Sequence, residues 1–292
     1  MATNTREIRR RIKSVKNIGQ ITKAMELVSA AKMRKAQAQA LASRAYSIQS
    51  GELLRNLVGK TNYRHPLIER VLPEDYEGDL RSQKILVILI SSDRGLAGAF
   101  NSNVLSKALT LLREDGTDRY DLITIGKKGS DFARRIGYNI VAAYEGKDKN
   151  LAIMDARPIA QQAVADFLSY KYEKVFVVFT DFISTLVQKA NIIQLLPFAD
   201  VVQNNGEDVL IEPTPDQVFD NLIRKTIEFT VYQTLVESIA SEHSARMVAM
   251  RNANEAAGDL IDDLTLSFNQ ARQAGITKEL SEISAAKLAM EN

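Results

Sequence analysis

Few residues of this chain are suited to chemistry. The segment SSDRGLAGAFNSN, residues 91–103, sets Asp93 and Arg94 beside Gly95 and Gly98, a mixture that phosphate-binding turns draw on. It has neither the G-x-G-x-x-G pattern nor the Lys-Ser or Lys-Thr pair that would hold a phosphate and magnesium. The plainer reading, which we adopt, is a tight strand-to-helix turn built from small residues. The two histidines are far apart: His65 precedes Pro66 in a turn and His243 falls in a long helical stretch, so both read as packing or solvent residues. Glu255, Asp259, Asp262 and Asp263 lie at helical spacing with no second ligand cluster, which reads as a solvated face. With no cysteine there is no thiolate nucleophile, disulfide or cysteine-bound metal. No set of nucleophile, base and orienting group can be assembled, so no catalytic residue, cofactor or metal is expected.

The elements that would position these residues fall into two textures. KILVILISS (84–92), DLITIG (121–126), NIVAAY (139–144), KVFVVFTD (174–181) and NIIQLLPF (191–198) are short apolar runs rich in β-branched residues. They alternate with helical stretches at 101–114, 128–137 and 156–170, the last opening near Pro158. Strands apolar on both faces and separated by helices argue for a doubly wound, mainly parallel α/β domain of about 130 residues.

The ends differ. All six prolines lie between residues 66 and 215, leaving both ends free of the strongest helix breaker. Ile8, Ile12, Val15, Ile18, Ile21, Met25 and Val28 follow steps of three or four, as do Leu260, Leu264, Phe268 and Ala271. Two helices of about 80 and 110 Å are predicted, the second starting where Thr214 caps and Pro215 opens the first turn. Such helices gain stability by burying a stripe against a partner. An antiparallel coiled coil of the two ends follows, interrupted at Gly19, Gly258 and Gly275, with the longer last helix projecting alone at its C-terminus. The domain plan is a helix over 1–60, an α/β domain over 61–212 and a helix over 213–292.

Charge is segregated between the ends, so they either meet each other or meet different partners. Residues 1–40 carry ten basic and two acidic side chains, whereas residues 216–292 carry seven basic and twelve acidic ones. The longest purely apolar run, Ile85 to Ile90, is far below the roughly 18 residues of a membrane-spanning helix. The first helix also lacks the apolar core of a secretory signal, so a cytosolic location is expected.

Three separated stretches carry a resemblance: RRRIKSVKNIGQITKAMELVSAAKMRKA (9–36), ISSDRGLAGAFN (90–101) and SEHSARMVAMRNANEAAGDLIDDLTLSFNQARQAGITKELSEISAA (241–286). Together they resemble the γ subunit of F-type ATP synthase, across nearly the whole chain and in order. One position departs from the family pattern: the Gly-Ala pair usual near the C-terminus is Ala286-Lys287 here. The resemblance implies a central-stalk rotor subunit, itself non-catalytic. Its end helices would form an asymmetric shaft inside three α and three β subunits, coupling proton flow through the membrane sector to ATP synthesis or hydrolysis at the β subunits. The implied partners are α, β, the ε subunit and the membrane c-ring.

Carried over position by position, the resemblance implies contacts to β subunits from Lys23, Met25, Arg246, Arg272, Gln273, Thr277 and Glu282. For Met25 seam packing stands beside the contact role, and for Arg246 and Arg272 a solvated face does. Gly206, Glu207 and Asp208, in the loop 201–213, are expected at the foot facing the c-ring and ε. Lacking cysteine, the chain cannot carry the regulatory dithiol of chloroplast members. The short stretch ahead of Arg6 leads to the expectation of a bacterial protein on the cytoplasmic face of the cell membrane. The rival reading is a nucleic-acid-binding coiled-coil arm, because a basic helix binds phosphates. That helix, however, has no interleaved aromatic residues for stacking, and an acidic partner helix would cancel much of its field.

Overall fold

The computed structural model describes residues 2–60, 65–69, 83–113, 116–146, 151–198 and 214–291. Helix α1 spans Ala2–Lys60 and helix α5 spans Pro215–Glu291, with the other elements between them: β1 Lys84–Ile90, α2 Phe100–Leu112, β2 Tyr120–Ile125, α3 Lys127–Ile136, β3 Asn139–Tyr144, α4 Ile153–Leu168, β4 Tyr172–Phe182 and β5 Gln188–Leu196. Two compact units result: Met1–Ser29 with Arg246–Asn292, and Ala30–Ala245.

The larger unit is built on one sheet of order β3-β2-β1-β4-β5. All neighbours are parallel except β4 and β5, which form an antiparallel hairpin. Apolar runs without polar alternation bury both faces, as the mainly parallel reading requires. In β1, Ile85, Val87 and Leu89 pack with Val104, Ala108 and Leu112 of α2 and Ala133 of α3. Leu86, Ile88 and Ile90 point the other way, into a core with Ile159 and Ala163 of α4 and with Phe219, Ile223, Ile227 and Val231 of α5. Period-two alternation sorts one strand between two cores.

Helix α4 starts earlier than the proline suggests. The Asp155 carboxylate accepts from the Ala152 amide at 3.0 Å and fixes the first turn, leaving Pro158 inside the helix. Sixth in the helix, Pro158 lies past the four unpartnered amides and forgoes one bond, to the Met154 carbonyl. Pro215 opens α5, with the Val218 amide donating to the Thr214 carbonyl at 3.2 Å.

A polar network ties α1 and α5 together beneath the sheet. The Arg44 guanidinium donates to Glu237 at 2.8 Å, Gln233 donates to the same carboxylate at 2.7 Å, and the Ser43 hydroxyl donates to Gln233 at 2.5 Å. Asp181 at the end of β4 accepts from Asn191 of β5 at 2.8 Å. Burial, together with Glu237 beside it, pushes the Asp181 carboxyl above its ordinary range.

In the smaller unit, α1 and α5 run antiparallel: Arg9 lies over the Phe268 ring at 5.4 Å and Glu26 meets Arg251 at 3.3 Å. The face of α1 turned inward comprises Ile8, Ile12, Val15, Gly19, Thr22, Glu26 and Ser29. These positions alternate steps of four and three, a strict heptad seam. Its counterpart on α5 is Met250, Asn254, Ala257, Ile261, Leu264, Phe268, Ala271 and Gly275, spaced the same way. The predicted stripe therefore holds only as far as Val15. Beyond it, small and polar residues occupy the seam, while Ile18, Ile21, Leu27 and Val28 are exposed.

The reason is steric. A Cβ added at Gly19 would sit 3.7 Å from Ala257 Cβ and 3.7 Å from Asn254 Oδ1, so the helices approach closely where the seam is small. Gly19 thus belongs to the seam rather than interrupting it, whereas Gly258 has open space around it. With this register, the groove between the helix ends joins Thr5 to Gly275 and Ile276. Helix α5 continues to Glu291, and residues 278–287 are exposed.

Candidate functional site

The turn after β1 is occupied by its own chain. The Ser91 hydroxyl donates to the Ile125 carbonyl at 3.0 Å and accepts from the Gly129 amide at 2.8 Å. The Lys127 amide donates to Asp93 Oδ1 at 3.0 Å, and the Lys128 amide to the Ser92 carbonyl at 3.0 Å. These amides form the N-terminus of α3, the place where a bound anion would sit. Asp93 and Ser91 fill it. The Asn101 side chain accepts from the Ser92 amide at 3.2 Å, closing the turn from the other side. Gly126 is held at φ +91°, and a Cβ there would fall 2.3 Å from the Ser91 carbonyl oxygen, so the two loops interlock through a glycine.

Other candidates for chemistry disperse. His65 is buried; its Nδ1 accepts from the Leu67 amide at 3.2 Å and its Nε2 lies 3.5 Å from Asp220. His243 is buried in α5. Glu255, Asp259, Asp262 and Asp263 are all exposed, and no cluster able to hold a metal ion occurs among the described residues.

What the smaller unit does present is a surface. Four large apolar side chains of α1 face outward within eleven residues: Ile18 (50% exposed), Ile21 (59%), Leu27 (60%) and Val28 (56%). On α5, Leu260, Leu266, Ile276, Leu280 and Ile283 are exposed as well. Apolar residues scattered singly are normal, but a two-helix element carrying this many marks an interaction surface. Basic residues stand among them. Lys23 donates to Glu26 at 2.9 Å, and with Arg251 it holds the buried Glu26 carboxyl below its ordinary range.

Of the residues expected to contact partners, Met25 is half-buried, and Lys23, Arg272, Gln273, Thr277 and Glu282 are exposed. Thr277 donates its hydroxyl to the Gln273 carbonyl at 3.0 Å, and Glu282 pairs with Lys278 at 3.6 Å. Arg246 is only 7% exposed. Gly206, Glu207 and Asp208 lie outside the described residues.

Comparison with known proteins decides the family. A family model described as ATP synthase matches residues 4–290. An ATP synthase gamma chain of Pelotomaculum thermopropionicum is 44% identical, covering 98% of this chain and 99% of the relative. The chain belongs to the ATP synthase gamma-chain family. A gamma chain of Chloroflexus aurantiacus is 40% identical over 98% of this chain and 99% of its own length. Among solved structures, a Euglena gracilis mitochondrial ATP synthase chain aligns with TM-score 0.69 at 19% identity, covering 99% of this chain and 95% of that one. A Tetrahymena thermophila chain, from a structure of the central stalk and c-ring, aligns with TM-score 0.62 at 23% identity, covering 80% and 99%. At these identities the structures show a shared fold. Nothing in the comparisons supports the nucleic-acid reading.

Sequence reasoning missed Thr22, Glu26 and Ser29, the polar part of this gamma-chain seam on α1. The available signal was the four-three spacing from Ile8, continued without regard to hydrophobicity. No helix among the described residues is long and apolar enough to cross a membrane.

Proposed function

We propose that this chain is the central-stalk rotor of an F-type ATP synthase: its paired end helices turn inside a ring of three α and three β subunits and couple proton flow to ATP synthesis or hydrolysis at the β subunits. The observation that carries the reading is the smaller unit, where small and polar residues fill the α1 seam from Gly19 to Ser29 while Ile18, Ile21, Leu27 and Val28 face outward. A free-standing helical pair would bury those side chains. A pair enclosed by other subunits can leave them for the enclosure.

Two dissimilar antiparallel helices cannot offer the same face to three identical subunits at once. Each β subunit therefore meets different contacts, and a ligand or partner with differential contacts shifts each conformational equilibrium separately. Rotation exchanges the three environments, so nucleotide affinity changes in turn at each site. The chain needs no catalytic group for this, and we assign it none.

Residues 1–60 and 213–292 would form the shaft and 61–212 the foot. Lys23, Met25, Arg272, Gln273, Thr277 and Glu282 would touch β-subunit loops, with charge-assisted hydrogen bonds from the Arg272 guanidinium. Arg246, buried here, would support the helix pair unless it turns outward on assembly. Gly206, Glu207 and Asp208 would face the c-ring and ε, placing the protein on the cytoplasmic face of a bacterial membrane.

Reconstitution tests this directly. The chain mixed with α and β subunits of a bacterial F-type ATP synthase should co-elute as one copy per hexamer, with ATP turnover that depends on it. The variant Ile21→Asp/Leu27→Asp, exposed in the isolated chain, should fold normally yet assemble poorly. Failure of the unsubstituted chain to assemble, or full assembly of the variant, would overturn the reading.

A further inference from the structure

At the carboxyl end of the parallel strands, the larger unit contains a cavity of about 590 Å³ that the rotor reading does not use. Its floor is formed by the last residues of β1 and β2, Ile90 and Ile125, with Leu151 ahead of α4, Ile159 of α4 and Leu235 of α5 closing it. All five are buried apolar side chains. A cavity of this size, apolar within and polar at the mouth, matches the usual dimensions of small-ligand sites. Open α/β sheets place such sites at this end of the strands.

The charge at the mouth selects the ligand. Asp93, Glu145, Asp155 and Glu242 line it, with Arg94 the cation among the lining residues described. Among the described lining residues, one guanidinium against four carboxylates is an excess of negative charge whichever partner it takes. The features that usually recruit anions here are already engaged: Asp93 and Ser91 cap the amides of α3, and Asp155 caps the first turn of α4. An incoming phosphate or carboxylate would meet acceptors instead of donors. Tyr144 and Phe100 also line the cavity, and aromatic rings attract a positive group.

We infer that this cavity binds a small lipophilic cation, an ammonium or amidinium group carried on an aromatic or aliphatic body. The body would occupy the apolar floor and the charge would sit at the mouth among the carboxylates. Gly146 lies close against Asp93 at this site: a Cβ there would fall 2.9 Å from the carboxylate. The site draws only on residues of the larger unit.

The test uses the full chain and two probes of one shape, 4-phenylbutylammonium and 4-phenylbutyrate, titrated by calorimetry with amide NMR reporting the location. The ammonium probe should bind at one saturable site and shift amides around Ile90, Ile125 and Ile239, while the carboxylate probe binds at least about tenfold more weakly. The double variant Glu145→Gln/Glu242→Gln, which keeps both side-chain shapes, should weaken the ammonium probe several-fold. The single variant Ile239→Trp, filling the cavity, should abolish binding with an unchanged circular dichroism spectrum. Equal affinity for the two probes, indifference to the glutamine pair, or no saturable binding of either probe would overturn the inference.

Discussion

Gly19 offers a sharp test of how the helical pair is held together, because two substitutions there should act in opposite directions. In sequence terms it is a glycine in a helix interior, which costs about 1 kcal/mol relative to alanine. In the structure, an added Cβ would rest 3.7 Å from Ala257 Cβ and Asn254 Oδ1, ordinary van der Waals separation. Gly19→Ala should therefore stabilise the smaller unit by about 1 kcal/mol, roughly a fivefold change in its local opening equilibrium. Gly19→Leu places three more carbons in a gap that a single methyl already fills. Forcing the helices apart there should cost about 1–3 kcal/mol, as overpacking of a close contact does. Amide hydrogen exchange over residues 15–23 and 254–261 of the full chain reads both effects where they occur. If alanine slows nothing, or if leucine leaves exchange unchanged, the seam does not pass through Gly19 and the assigned register is wrong.

Further expectations rest on the polar and turn residues. The Lys23 and Arg251 partners hold Glu26 below its ordinary value, so its contribution to stability is present above that value and is lost as pH falls through the folded one. Glu26→Gln should flatten the acid limb of the unfolding curve of the smaller unit. Asp121 behaves alike: burial alone would raise it, but hydrogen bonds from Asn139, Lys84 and Tyr172 outweigh burial and hold it low. An Asp121→Asn variant should thus lose less stability between pH 5 and pH 3 than the parent. Asp181 has the opposite sign, since its carboxyl is raised and the native state keeps a proton that the unfolded chain gives up. Stability should fall as pH rises from the ordinary carboxylate value through the raised one, and Asp181→Asn should remove that fall and raise Tm near neutrality. Gly126→Ala combines a left-handed backbone with a Cβ 2.3 Å from a carbonyl oxygen. It should cost about 3 kcal/mol or more, seen as a drop in Tm of the larger unit.

The amino-acid sequence determined the broad plan of this protein by itself. Proline-free ends with three-four periodicity could hardly be anything but long helices, and runs such as ILVILI (85–90), apolar on every residue, had to be strands covered on both faces. Opposite charge on the two ends pointed to their pairing. The turn at Ser91 to Gly98 was also legible as structural, because the residues that hold a phosphate were missing from it. What the sequence could not decide was which face of each long helix turns inward. Hydrophobicity favoured Ile18, Ile21 and Val28, yet the seam runs through Gly19, Thr22, Glu26 and Ser29. The choice depends on the partner: Ala257 and Asn254 allow close approach only at Gly19, and Arg251 satisfies a buried Glu26 that would otherwise be costly. Likewise, nothing in DARPI revealed that Asp155 would start α4 ahead of its proline, or that Asp93 would spend its carboxylate on a neighbouring helix. Periodicity is a property of one segment and is written in it; complementarity belongs to two segments, and only their meeting in the folded chain settles it.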